Sequence, residues 1–249
     1  MDTRPPPPLA ESLAAALDWW REAGVDLAFH DEPQTWLKAD EPDAEAAGSH
    51  APPATEALPL PRLGGDPAAW PRDFEAFRHW WLAEPSLDTG GLGSRLAPRG
   101  PAGAPLMIAV PMPEAEDSET LLSGPHGRLL ANMAHAMGFA PDAVLVAAAL
   151  PRHASVPDWA ALTAGGLGAV LQHLIALAAP QRLIVLGRDI LPLLAHDPAQ
   201  DAPAAREITI HGRAVPALSG YAPGRLLEHP RLRADLWRSW LDWTESGTR

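Results

Sequence analysis

Three short apolar runs govern what this chain can fold into. They are Leu106–Val110, Ala143–Leu150 and the LIVLG run within Arg182–Gly187. Each lacks the alternating polar positions of a half-solvated strand, so each predicts a strand buried on both faces. Helical patterns separate them: Gly127–Phe139, with Leu129, Leu130, Met133 and Met137, and a long helix over Trp159–Ala178. Asp189–Ala195 predicts a short helix, and Glu207–Ile210 with Val215–Ser219 a hairpin. Arg231–Trp243 predicts a last helix, whose Trp237, Trp240 and Trp243 fall roughly on one side and are expected to pack under the sheet, the alternative being an exposed docking face. Strands alternating with helices predict an α/β fold: three layers, αβα, around a mostly parallel central sheet. Ligands of such sheets bind beyond the carboxyl ends of the strands, so the loops after Val110, Leu150, Gly187 and Ser219 are the ones to inspect.

The first part of the chain reads differently. After a Pro-rich lead, Leu9–Ala23 predicts an amphipathic helix with Leu9, Leu13, Leu17 and Trp20 on one stripe and Gly24 as its stop. Val25–Leu37 adds an apolar segment with Leu27, Phe29, Trp36 and Leu37. Residues 38–69, rich in Pro, Ala, Glu and Asp without periodicity, predict a disordered linker. Ala68–Ala83, carrying Trp70, Phe74, Phe77, Trp80 and Trp81, predicts a helix, and Gly90–Pro105 a loop. The 249 residues thus divide into an N-terminal segment (1–37), a linker (38–69) and one α/β domain (70–249).

Composition narrows the function. The net charge is −12, and residues 1–105 alone hold 17 acidic against 8 basic residues. Coating duplex DNA needs clustered Lys and Arg, which only the weakly basic stretch from Arg206 to Arg238 approaches, with six Arg. The chain has no cysteine, so disulfides, thiolate metal sites, iron–sulfur clusters and Cys nucleophiles are all excluded. The ten His show no HxxxH or HExxH spacing, so no metal site and no cofactor are expected. GGLG at 90–93 and 165–168 lies in a loop and in a helical pattern, and neither reads as a phosphate cradle. Without a long apolar run or a signal peptide, a soluble cytoplasmic protein with no membrane partner is expected.

The segments PLMIAVPMPEAED (105–117), LLSGPHGRLLANM (121–133), VLVAAALPRH (144–153), RLIVLG (182–187) and GYAPGRLLEHP (220–230) keep the order and spacing of a known set of motifs. Over about 170 residues, from Glu75 to Trp243, the chain resembles the uracil-DNA glycosylase superfamily, in particular its bacterial members with an iron–sulfur cluster. EAF at 75–77 matches the segment before that family's first cluster cysteine.

The departures from the family are specific. The acidic residue that serves the attacking water corresponds to Val110, and the Phe that stacks on uracil to Leu122. The Asn that reads the uracil edge corresponds to Ala148, and the His that stabilises the departing base to Ala222. The first cluster cysteine falls at Trp80. Losing each such polar group costs about 100-fold in rate, so the resemblance implies a fold without its excision chemistry and no catalytic residues.

Other polar residues of these loops carry two readings each. Glu114, Glu116 and Asp117 with Arg152 and His153 are either solvated loop charges or a replacement acid–base set, Asp117 or Glu116 acting on water and Arg152 or His153 in the pocket. His126 opens a helix and reads as ordinary surface. Tyr221, Pro223 and Arg225 either retain a DNA or ligand contact, or Tyr221 and Pro223 simply shape the turn before the last helix.

A fainter resemblance, to the psi subunit of the bacterial DNA polymerase III clamp-loader assembly, rests on DWWREAGVDLAFHDEPQTWL (18–37), the linker, and PALSGYAPGRLLEHPRLRADLW (216–237). It implies docking on a clamp-loader or repair protein through residues 9–37, with Leu13, Leu17, Trp19, Trp20 and Trp36 as contacts. The alternative is that this helix folds back on the domain. The expected function is a binding or scaffold subunit of DNA replication or repair. The alternatives are a divergent glycosylase for a damaged base and a weak, non-catalytic binder of single-stranded DNA.

Overall fold

In the strand Leu106–Val110 (β1) every side chain is buried, and alternate residues enter different cores. Met107 and Ala109 join one apolar cluster, whereas Leu106, Ile108 and Val110 join a second on the opposite face. That is the period-two geometry of a strand with no solvent face, which is why its sequence lacks polar alternation. The structure, a computed structural model, describes residues 9–23, 62–88, 90–194 and 204–246. The chain divides into two units, residues 1–56 and 57–249.

The first unit contributes one helix, Leu9–Glu22 (α1). Its Leu13, Leu17, Trp19 and Trp20 are all exposed, and the two indoles meet edge to face at 4.9 Å. Trp36 and the rest of 24–37 lie outside the described residues, as do positions 38–61 of the expected linker. Its last residues, 62–69, belong instead to the second unit. The Leu63 amide donates to the Gly165 carbonyl at 2.9 Å, and Trp70 Nε1 donates to the Gly64 carbonyl at 2.6 Å. Low-complexity composition hid one turn through Gly64 and Gly65, both at positive φ, and a 3₁₀ turn over Pro67–Ala69 capped by Asp66, which together bring Leu63 and Trp70 against the core.

In the second unit β1 is joined by Val144–Ala148 (β2), Leu183–Leu186 (β3), Ala204–Ile210 (β4) and Arg213–Gly220 (β5). The order is β2-β1-β3-β5-β4, parallel throughout except for the β4–β5 hairpin. The hairpin turns through His211 and Gly212, both at positive φ, the two-residue turn whose twist matches its strands.

Helices cover both faces. Phe74–Ala83 (α2), Trp159–Ala164 (α4) and Leu167–Ala178 (α5) bury Phe77, Trp81, Leu162, Val170, Leu171 and Leu174 in the first cluster. Pro125–Ala136 (α3), Pro223–Glu228 (α6) and Pro230–Ser246 (α7) bury Leu130, Leu226, Leu236 and Trp240 in the second. The expected three-layer α/β arrangement is therefore present.

Several boundaries differ from expectation. The helix expected from Ala68 starts at Phe74, because Pro71 interrupts it and Asp73 caps it by accepting from the Ala76 amide at 2.8 Å. The helix expected over Trp159–Ala178 is two, broken at Gly165–Gly166, where Gly166 takes φ +91°. Asp189–Ala195 forms two 3₁₀ turns, Arg188–Ile190 and Pro192–Leu194. On α7 the inward stripe is Leu236, Trp240 and Trp243, at i, i+4 and i+7. Trp237 lies one residue off that stripe and is 37% exposed, so it does not pack under the sheet.

Candidate functional site

Because β1 has β2 on one side and β3 on the other, the chain reverses its direction of winding at β1, and a crevice opens beyond the carboxyl ends of β1 and β3. A cleft of about 460 Å³ occupies that position. It is lined from the loop after β1 (Pro111–Glu116), the start of α3 (Pro125, His126), the loop after β2 (His153), the turn after β3 (Asp189) and the start of α6 (Ala222–Gly224).

The loop after β1 is built on two buried carboxylates. Asp117, 4% exposed, accepts four hydrogen bonds. Its Oδ2 receives the amides of Glu114 (2.8 Å) and Leu122 (2.7 Å), and its Oδ1 receives the Ser123 amide (2.8 Å) and hydroxyl (2.7 Å). Burial by itself raises the pKa of Asp117. The hydrogen bonds from Ser123, Glu114 and Leu122 outweigh it, and the carboxyl is held below its ordinary value. Both oxygens are occupied, which leaves none to activate a water. The bond to the Leu122 amide also holds Leu122 at φ +53°, a conformation that costs an L-residue about 1–2 kcal/mol.

Glu114, 6% exposed, lies across the entrance of α3. It accepts from the amides of Gly124 (3.0 Å), His126 (2.9 Å) and Gly127 (3.4 Å). The helix N-terminus, with its unpaired amides and positive dipole end, thus already holds an internal anion. Its His126 imidazole Nδ1 lies 3.7 Å from the same carboxylate. Gly127 is required here, since a Cβ on it would sit 1.7 Å from the Leu122 carbonyl oxygen.

The residues singled out in the sequence are only partly brought together. Val110, Leu122 and Ala148 are all buried in the second apolar cluster and do not line the cleft; of the four altered motif positions only Ala222 does. His153 lines the cleft and donates from Nδ1 to the Pro113 carbonyl at 3.0 Å. Arg152 does not line it: its guanidinium pairs with Asp88 at 2.8 Å. Tyr221 is half-buried against the second cluster, and Arg225 is exposed on α6. His126, read as ordinary surface, is instead a cleft residue. Asp189 was missed, although its place just after β3 is where the fold puts ligand contacts.

The ionisable lining is therefore Glu116, Asp189, His126 and His153, with Glu114 engaged at α3; among the described residues no Lys or Arg lines the cleft. Such a surface has no cations with which to neutralise a phosphate backbone. Among the described residues no group of three or more His, Asp or Glu is arranged to hold a metal ion, and no helix is long and apolar enough to cross a membrane. No family model matches the chain, and no curated protein matches it.

Proposed function

We propose that this chain is a catalytically degenerate protein of the uracil-DNA-glycosylase fold, acting as a binding or scaffold subunit in DNA replication or repair. One observation carries the reading: Val110, Leu122 and Ala148, which stand where the resemblance puts the water-activating, stacking and base-reading groups, are buried together in one apolar core. The convergence of the resembling segments supports it. Residues of 105–117, 121–133, 144–153 and 220–230 all meet at one cleft, as a shared site requires. Asp117, the first candidate for a replacement base, is committed to holding its own loop. The exposed Leu13, Leu17, Trp19 and Trp20 of α1 supply an apolar face for a protein partner.

The test has two arms. The 249-residue chain is incubated with oligonucleotides carrying uracil, hypoxanthine or an abasic site; no alkali-labile product above background is expected. Alkali-labile product above background from the parent chain would overturn the reading. In the second arm, purified clamp-loader and repair proteins are captured on the full chain and on a Leu13→Glu, Leu17→Glu variant, and only the parent should retain one of them.

The divergent-glycosylase alternative draws on Glu116, which is exposed and lines the same cleft as His153. Excision abolished by Glu116→Gln would favour it.

A further inference from the structure

β4 is paired on one side only, and its open side has a definite chemistry. In a two-residue hairpin the residues flanking the turn, here Ile210 and Arg213, exchange both hydrogen bonds, and such pairs alternate along the ladder. Ala204, Arg206, Ile208 and Ile210 therefore turn their backbone groups to β5, while Ala205, Glu207 and Thr209 turn theirs outward. Pro216 fits this phase. It stands opposite Glu207, where its missing N–H costs no bond to β4, and it precedes the first residue of β5 paired with β3. Among the described residues no group bonds to the outward N–H and C=O of 205, 207 or 209.

The side chains of these three share the α7 face, because Ile208 and Ile210 are buried on the other. Glu207 is exposed and alone among the three is charged. It lines a groove of about 450 Å³ with Arg182, Pro216 and Trp243.

A second copy is a poor occupant for this edge. The antiparallel register that pairs the whole of β4 with itself has its two-fold at Glu207 and sets that carboxylate against its own copy, a destabilising arrangement. We propose that the edge of β4 receives an extended segment of another protein as a sixth strand, with a single Lys or Arg opposite Glu207. A longer basic run is disfavoured by Arg182 in the same groove and Arg206 on the neighbouring position. The main chain supplies the hydrogen bonds and Glu207 the selectivity. This surface does not depend on the glycosylase resemblance.

The test uses the full chain and short fluorescein-labelled peptides of alternating Thr and Val, one with a central Lys and one with a central Glu. Fluorescence anisotropy at low salt is expected to show the Lys peptide binding about tenfold tighter, given the strength of cross-strand charge pairs. Glu207→Lys should invert the order and Glu207→Gln should equalise the two; the position is exposed, so both variants should keep the parent's circular dichroism. Hydrogen exchange should slow at the amides of Ala205, Glu207 and Thr209 when the Lys peptide is bound. Equal affinity of the parent for both peptides, or protection elsewhere with these amides unchanged, would overturn the proposal. So would a dimer in sedimentation with these amides already protected.

Discussion

Asp117 organises more of the site than any other single side chain. Its four accepted hydrogen bonds bridge the loop after β1 to the entrance of α3, so Asp117→Asn, which turns one acceptor into a donor, should cost about 2–3 kcal/mol in urea unfolding at neutral pH. The sign of the pH dependence follows from the lowered pKa. The stabilisation is fully present above the ordinary carboxyl value of 3.8 and is lost as pH falls through the depressed folded value. The parent should therefore lose stability more steeply than Asp117→Asn as the pH is lowered through and below that range. Denaturant midpoints measured across it check this. Gly127→Ala tests the same junction sterically. Its methyl would overlap the Leu122 carbonyl, and a loss of about 3 kcal/mol or more is expected in the same assay. None of this was legible in the sequence, where Glu114 and Asp117 look like ordinary loop acids. Their partners are backbone amides brought near by a turn, and backbone amides leave no mark on residue identity.

Among the elements, the strands were the easiest to read, and for a physical reason. β1, β2 and β3 are buried on both faces, so burial alone dictates their composition. The hairpin was legible as two neighbouring strand-like runs, Glu207–Ile210 and Val215–Ser219. The break between α4 and α5 was not, because the apolar spacing continues across it. Gly166 decides the matter there: its φ of +91° takes the backbone out of the right-handed helical region between the two helices. α6 was missed because Tyr221 and Pro223 read as a turn, although Pro at a first helical position is equally a start. The phase of α7 makes a clean comparison. Trp240→Ala should lower stability by about 3–4 kcal/mol, and Trp237→Ala by less than about 1 kcal/mol, as read by thermal or urea unfolding of the two variants.

At the scale of the molecule, the charge distribution argues against DNA as the principal partner. The chain carries −12, and the cleft adds carboxylates and imidazoles without a lining Lys or Arg. Anisotropy with labelled single-stranded oligonucleotides at physiological salt should give weak binding, changed little by charge reversal at Arg225 and Arg231. A steep salt dependence abolished by those reversals would instead favour the DNA-binding alternative. The position of the cleft was foreseeable from the alternation of strands and helices alone, since the order of winding fixes where a crevice opens. What lines it was not, because His126, Asp189 and Ala222 arrive from three loops whose convergence depends on the complete topology.

The Glu114 carboxylate across the mouth of α3 has a consequence for the solvent as well. A helix entrance with a resident tenant from its own polypeptide should be indifferent to inorganic oxyanions, so melting temperatures in phosphate and in chloride of matched ionic strength should coincide. Evicting that tenant with Glu114→Ala should leave a weaker protein that, unlike its parent, grows firmer as phosphate is added.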